Sequence, residues 1–519
     1  MLILQILIAL GIALFLRLSS NFYAPGLREI PGPFLAKFSN LWRLIETWKG
    51  HYERTVQDLH RRHGNIVRTG PNIVSLTDPD AIESIYGVKA DLPKSDFYKA
   101  MQTYHNGELV PTLLTATDKK THARLRKPVA NIFAMSTLTR FEPLVDRTIG
   151  DLIKILRRDF VDGSGARRSC DIDHWLSYFA FDVMSGLSFS RSFGFLEHGR
   201  DIDDMMKNLG RNFKYCAIVG QMPSLDRFLW KNRLVRWFSA KSDPFSIQAG
   251  KLFRDRLAEE KTGRDSIGED KDRRDIVSRI LEAKSAHPDQ VPDAAVVGYI
   301  MTILLAGSDT VSITLRSIVY YLSKNHHEQK KLQKEIDDAK LTYPVSWRKA
   351  QDLTYLDAVV KEALRVHPPT SILLERVVSP AGLQLPDGRE LKPGTIVSMN
   401  GWTINQNEDV FGQDANAFNP DRWLKAGDET EDGFQARVKR MLRADIAFGY
   451  GTRSCLGRPI AYLEIYKLVP TLFGLFDICL SDPRREWRYE SYFVTEQHDM
   501  DVKLSWRGVV DGAIGLCSE

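Results

Sequence analysis

The chain has 519 residues, 43% of them hydrophobic and 26% charged, a balance that excludes a disordered or collagen-like protein. Its net charge of +5 is small for this length and gives no argument for nucleic acid as a partner. Five cysteines (Cys170, Cys216, Cys455, Cys479 and Cys517) are widely spaced and form no CxxC pair, which argues against a disulfide framework and for a reducing compartment.

Leu2 to Leu16 is apolar except for Gln5. Fifteen helical residues reach about 23 Å, short of the ~30 Å hydrocarbon core. Met1 at one end, with a snorkelling Arg17 and Leu18 at the other, nearly closes that gap. A cleaved signal peptide would start on basic residues and end on a small-residue cleavage site, and neither is present. Arg17, Arg28, Lys37 and Arg43 all follow the segment. Residues 1–20 therefore read as an uncleaved transmembrane signal-anchor with the body on the cytoplasmic side. Tyr23-Ala-Pro25-Gly26 and Ile30-Pro31-Gly32-Pro33 cannot continue a helix, so residues 21–33 read as a stiff Pro/Gly linker.

Residues 34–519 show no internal repeat and no compositional seam, and they read as one domain. Ile66–Arg68 and Ile73–Leu76 flank Thr69-Gly70-Pro71-Asn72 and predict a β-hairpin. Asp78-Pro79 has the form of an N-cap and first helical position. Arg254 to Asp293 is dense in mixed charge, with Glu269 to Arg274 at its centre, and reads as a solvated loop between helices. Pro292 to Lys324 reads as one long helix. A second strand-rich patch runs from Arg376 to Met399, punctuated by Pro386-Asp387-Gly388 and Lys392-Pro393-Gly394. Most of the remainder carries helical periodicity, so the expected fold class is mainly α with small β-sheets.

Four of the cysteines read as small buried hydrophobes. Cys455 differs, because it sits in Phe448-Gly449-Tyr450-Gly451-Thr452-Arg453-Ser454-Cys455-Leu456-Gly457. The glycines permit a tight loop with amides turned towards one point, and Gly457 to Phe476 reads as a helix. A cysteine at a helix N-terminus, beside loop amides and an arginine, is expected as thiolate. A soft thiolate with no neighbouring Cys or His suits one axial position on a haem iron better than a zinc or iron–sulfur site. A phosphate-cradling G-x-G-x-x-G reading fails, because the third glycine position is Ser454.

This segment resembles the haem-binding loop F-x-x-G-x-R-x-C-x-G of the cytochrome P-450 family. Five fixed residues in one window arise by chance in on the order of 10⁻⁴ of chains this long. The resemblance implies the P-450 fold behind an anchor helix, with haem b (iron protoporphyrin IX) on Cys455 and Phe448 and Gly449 beside it. The family's E-x-x-R matches Glu362-Ala363-Leu364-Arg365, on a helix stopped by Pro368-Pro369, and its second arginine motif matches Phe418 to Trp423. Glu362, Arg365 and Arg422 would then form a buried structural charge cluster. A second E-x-x-R, Glu197 to Arg200, has no apolar periodicity and reads as a surface accident. Ala306-Gly307-Ser308-Asp309-Thr310 resembles the family's A-G-x-D-T, with a decoy at Ala426 to Thr430 in a polar stretch. Thr310 and Asp309 are the implied catalytic pair, handling dioxygen and its protons. Gly307 in mid-helix costs about 1 kcal/mol against alanine, and a local widening of the helix would account for it. His122 and Arg126, with Arg376 and Arg453, match the cations that hold haem propionates, although the family commonly has Trp at the His122 position.

The implied reaction is R–H + O₂ + two electrons + two protons → R–OH + H₂O, with the Cys455 thiolate favouring O–O cleavage. No flavin-binding or ferredoxin-like region is present, so the electrons are expected from NADPH through a separate NADPH–haemoprotein reductase, with cytochrome b5 as a second donor. Lys439, Arg440, Arg443, Arg124 and Lys127 are candidates for the docking face. By family position the substrate pocket is lined by the loop from Asp96 to Thr117, by Ile303, Leu304, Ala306, Thr370, Ile372, Leu373 and Leu374, and by Phe493, which fits an apolar small molecule. Pro25 to Leu44 is similar to fungal pisatin-demethylase-like members. That implies an endoplasmic-reticulum enzyme facing the cytosol and acting on a secondary-metabolite intermediate, by hydroxylation, another oxidation or O-demethylation. Detoxification of a plant compound, or an isomerase or dehydratase that needs no NADPH, remain the alternatives; the alcohol of Thr310 counts against the last.

Overall fold

A computed structural model describes residues 1–105, 108–162, 169–229, 231–232, 244–261 and 275–508. Cys517 and the Glu269–Arg274 charge run lie outside these residues.

Leu2–Phe22 is a single helix, its most apolar 18 residues having a mean hydropathy of 2.3, with no buried residue. It extends through the polar turn after Leu16, so 21 residues at 1.5 Å each give about 32 Å, enough for the hydrocarbon core. Its end is fastened to the body. The Arg68 guanidinium, fully buried, donates to the carbonyls of Phe22 at 3.3 Å, Leu27 at 3.2 Å and Pro71 at 2.7 Å, and also to that of Asn21. Phe22 stacks on Phe38 with centroids 5.1 Å apart. A cation against the last carbonyls of a helix also meets the negative end of its dipole.

The hairpin strands Ile66–Gly70 and Ile73–Leu76 pair antiparallel, and the second continues a sheet with a distant part of the chain. Ile396–Met399 lies parallel to it, Ile73 opposite Ile396, and Arg376–Val377 closes the sheet beyond. The predicted hairpin and the predicted strand patch are therefore one four-stranded sheet. A three-stranded sheet joins Phe476–Leu480, Asp501–Trp506 and Cys170–Asp171, and a hairpin joins Arg488–Ser491 to Thr495–His498.

Helices make up the rest of the core. Asp293–Lys324 runs through the centre, its most apolar window 67% buried, which marks a core helix although it is long enough to span a membrane. It packs against Ile172–Phe189, almost every side chain of which is buried. The helix after the cysteine loop, Arg458–Leu475, is buried all round from Leu463 onwards.

One expectation is corrected. The charged stretch from Arg254 to Asp293 is not one loop: Pro244–Lys261 and Ile276–Ala286 are helices. Asp275 caps the second, its carboxylate accepting from the Ser278 amide at 2.7 Å, and Ile276, Val277, Ile280 and Leu281 are buried. Those apolar positions share one helix face, which the flanking charges obscure.

Candidate functional site

The cysteine loop is built by two glycines in left-handed backbone. Gly449 (φ 69°) donates its amide to Ile446 O at 2.9 Å. A Cβ on Gly451 (φ 59°) would lie 2.1 Å from the Tyr86 carbonyl oxygen, so the loop approaches the C-terminal end of helix Ile82–Tyr86 only because the residue is glycine. The Cys455 amide donates to Phe448 O at 2.7 Å and closes the turn. Phe448 is itself held edge-on by Tyr462 at 5.4 Å.

Two arginines tie the loop to the helix Lys119–Arg126 and the segment before it. Arg453 donates to the carbonyls of Ala116 (2.7 Å), Thr117 (3.2 Å) and Asp118 (2.9 Å). Arg126 donates to Ser454 O at 2.7 Å.

The Cys455 sulfur is met by the amides of Gly457 and Arg458 at the start of Arg458–Leu475, with the positive charges of Arg126 and Arg458 nearby. Burial outweighs them, and the thiol is pushed above its ordinary value. This corrects the expectation of a preformed thiolate: the protein's own groups lower the cost of the anion but do not meet it, and a cation bonded to sulfur would. Cys455 nevertheless presents accessible surface. Deep placement and accessibility hold together where a side chain looks into an internal space. Ala306, in the middle of the buried central helix, is likewise exposed.

Around this loop the structure brings together more positive charge than negative. His122 and Arg376 are buried, and they and Arg126, Arg453 and Lys94 lie close enough to perturb one another. Burial, then Arg453, Lys94 and the other cations, lowers His122 to about 3, so it is neutral. Burial, then Arg376, lowers Arg453 to about 10, and the same two causes depress Lys94 strongly. The nearest carboxylates are engaged elsewhere. Asp118 caps its own helix through the Thr121 amide at 2.7 Å, and Glu375 binds Arg43 at 2.5 Å. A cluster of cations without matching anions, beside a deep accessible sulfur, fits a planar metal cofactor carrying carboxylates.

The central helix is α-helical without interruption through Gly307, so the expected local widening is absent. A Cβ on Gly307 would lie 2.6 Å from the end of the Met184 side chain, so the glycine leaves room for that side chain of the neighbouring core helix. The Thr310 hydroxyl donates to Ala306 O at 2.8 Å, and Thr310 is partly exposed. Burial, then the charges of Glu496 and Asp201, pushes the Asp309 carboxyl up to about 7, against the opposing pull of Arg316.

Glu362, Arg365 and Arg422 meet in one buried cluster. Arg365 donates to Glu362 through Nε (2.8 Å) and Nη2 (2.7 Å), Arg422 through Nε (3.1 Å). The Trp423 indole and the Asn419 amide complete the carboxylate's partners at 2.9 and 2.8 Å. Arg365 also holds the carbonyls of Asn405, Ala415 and Ala417 at 2.5–2.8 Å, so the cluster fixes the chain from 405 to 424.

Of the pocket residues, Ile303, Leu304, Ile372 and Phe493 are buried in the main core, and Phe493 stacks on Phe213 at 5.1 Å. Thr370 bridges to Val494, and the Ser371 amide donates to Phe493 O at 3.1 Å. Leu374 donates its amide to Met399 O, whereas Leu373 packs aside against Tyr52 and Val56. Lys439, Arg440, Arg443, Arg124 and Lys127 are all exposed. Among the described residues, Lys94 and Glu496 are site neighbours that sequence reasoning missed. Neither left a sequence signal: Lys94 reaches the site through a backbone bridge to Arg376, 282 residues away.

A family model described as Cytochrome P450 matches residues 30–503. The cytochrome P450 monooxygenase vrtE of Penicillium aethiopicum is 37% identical over 505 residues, covering 96% of this chain and 94% of its own. The cytochrome P450 monooxygenase cicH of Emericella nidulans is 37% identical over 520 residues, covering 97% and 99%. A cytochrome P450 monooxygenase of Aspergillus terreus is 38% identical over 462 residues, covering 87% and 90%. With this site behind a cysteine loop in a mainly α fold, the chain belongs to the cytochrome P450 family and is a monooxygenase of that family.

Proposed function

We propose that the protein is a membrane-anchored haem-thiolate monooxygenase that oxidises an apolar small molecule, an intermediate of secondary metabolism, with NADPH-derived electrons from a separate reductase. The observation that carries this reading is the deep, accessible Cys455 sulfur beside an unbalanced cluster of Lys94, His122, Arg126, Arg376 and Arg453. Cys455 would ligate the iron of haem b, and the five basic residues would hold its carboxylates, neutral His122 as a hydrogen-bond donor. When bound, the haem supplies activation of dioxygen and cleavage of its O–O bond.

The chain's own residues provide the rest. The Thr310 hydroxyl has its proton committed to Ala306 O, which leaves its oxygen lone pairs free to accept. Asp309, its carboxyl pushed up to about 7 chiefly by burial, is suited to take up and release a proton near neutral pH. Exposed Glu496, whose charge Asp309 senses most strongly, is its link to solvent. Ile303, Leu304 and Ile372 keep bulk water away from the reacting carbon. Glu362, Arg365 and Arg422 are structural and keep the 405–424 segment in place. Lys439, Arg440 and Arg443 offer a basic face to an acidic reductase, or to cytochrome b5.

The anchor helix, followed by cationic residues, supports insertion in the endoplasmic-reticulum membrane with the body in the cytosol. Exposed Phe34, Leu35, Leu41, Ile45 and Trp48 follow the anchor and would rest on the same bilayer. The reading is tested by turnover of candidate polyketides and terpenoids with reductase and NADPH. Product that requires both is expected, with Thr310→Ala consuming NADPH while product falls by at least tenfold. Product formed without NADPH, or coupling unchanged in Thr310→Ala, would overturn it.

A further inference from the structure

The guanidinium of Arg68 lies where the anchor helix Leu2–Phe22 joins the body, and it is fully buried. A guanidinium carries five N–H donors in one plane, and here each meets a backbone carbonyl. Nε donates to Gly70 O at 3.3 Å, Nη1 to Phe22 O and Leu27 O at 3.3 and 3.2 Å, and Nη2 to Pro71 O at 2.7 Å and to Asn21 O. Among the described residues no carboxylate pairs with it. A buried cation without a counter-ion is costly, so the dipoles around it must offset its charge. Asn21 O and Phe22 O belong to the last turn of the anchor, where helical carbonyls lack partners and the helix dipole is negative. The anchor has no basic residue of its own in that turn, so the body supplies the cation.

The helix end is also held from a second direction. Asn21 donates through Nδ2 to Phe38 O at 2.7 Å, while the Phe22 ring stacks on Phe38 at 5.1 Å and meets Phe34 edge-on at 6.1 Å. Asn21 and Phe22 lie about 100° apart around the helix, so contacts through both fix its rotation as well as its tilt.

Nor are the next residues a free spacer. Leu27 and Ile30, 3% and 2% exposed, pack with Val74 and Val397 in the core beside the four-stranded sheet. The Arg68 amide donates to Pro31 O at 2.7 Å, and a Cβ on Gly32 would lie 2.1 Å from Arg68 O. A flexible linker lets a tethered domain take many orientations. Between Asn21 and Gly32 the chain is instead fastened to the body at Asn21, Phe22, Leu27, Ile30 and Pro31.

We propose that the anchor is docked on the body as a rigid element, held at one angle by Arg68 and Phe38, and that this angle sets how the exposed face at Phe34, Leu35, Leu41, Ile45 and Trp48 meets the lipid surface. The inference rests on the reading above that Leu2–Phe22 crosses a membrane. Its consequence is one orientation of the body on the bilayer, so that apolar molecules dissolved in the lipid meet the same side of every copy.

The test uses the full-length holoenzyme in phosphatidylcholine nanodiscs, with Cys479→Ser and Cys517→Ser as the parent protein. Spin labels are attached at Leu4→Cys, about 27 Å along the helix from Phe22, and in turn at Arg62→Cys and Asp387→Cys, both exposed on the body. Each pair should give one narrow distance distribution by pulsed electron resonance. It should broaden about twofold or more in Arg68→Met, and also in Asn21→Ala/Phe38→Ala, which keeps Arg68 and all its acceptors. Broad distributions in the parent protein, or widths unchanged in Asn21→Ala/Phe38→Ala, overturn the proposal. Release of the protein from membranes by alkaline carbonate would refute the membrane reading itself. Broad distributions in protein that stays with the membrane refute this inference alone.

Discussion

Glu362 and Arg365, one helical turn apart, are joined by two parallel hydrogen bonds of 2.7 and 2.8 Å at a site where neither side chain exceeds 3% exposure. The pair is not isolated. Arg422, Trp423 and the Asn419 amide add three more bonds to the same carboxylate. A carboxylate with five hydrogen bonds offsets its burial, whereas removing its charge leaves the buried Arg365 guanidinium without a counter-ion, Arg422 keeping Asp414 at 2.8 Å.

Glu362→Gln is therefore expected to cost about 3–5 kcal/mol. Because the cluster fixes residues 405–424, the loss should appear as protein that folds poorly and retains little haem. Thermal unfolding and the ratio of haem absorbance to protein report it. A variant with wild-type melting temperature and full haem would remove the cluster from any structural role.

Lys94 makes the opposite prediction for the two forms of the protein. It is buried among Arg376 and Arg453 and donates to Leu114 O at 2.6 Å. Without an anion, the cluster repels itself, so Lys94→Met should leave the haem-free chain as stable as wild type or more so. With haem, a carboxylate partner is lost, and transfer of haem to a scavenging apoprotein should accelerate about tenfold. Slower or unchanged transfer would exclude Lys94 from the clamp.

His60 provides a pH signature. It is 7% exposed, its Nδ1–H donating to Gly64 O at 2.9 Å and its Nε2 accepting from Ser75 Oγ at 2.8 Å. Burial lowers its pKa to about 4. The group is neutral in both states above the unfolded value near 6.5. As pH falls below that, the unfolded chain takes up a proton first, so stability declines until the folded pKa near 4 is reached. The full contribution is about 3 kcal/mol. His60→Gln, which keeps a donor and an acceptor but does not titrate, should unfold with a shallower pH dependence between 6.5 and 4. Superimposable pH profiles for the two proteins would contradict this.

The features legible in the sequence are those encoded locally. Gly449, Gly451, Cys455 and Gly457 lie within nine residues and form one loop, and Glu362 and Arg365 share one helix face. Lys94 and Glu496 were not legible. Each reaches the site through a tertiary arrangement: the Lys94–Arg376 bridge, and the strand that carries Glu496 towards Asp309. Gly307 was read as a widened helix turn, whereas the Met184 side chain that occupies the space beside it lies on another helix, 123 residues away.

The central claim, that Cys455 is the axial thiolate, is tested most directly by the reduced carbon monoxide difference spectrum of wild type and Cys455→Ala. The account predicts a band near 450 nm in wild type that is absent in the variant. A band near 450 nm that survives in Cys455→Ala would contradict it.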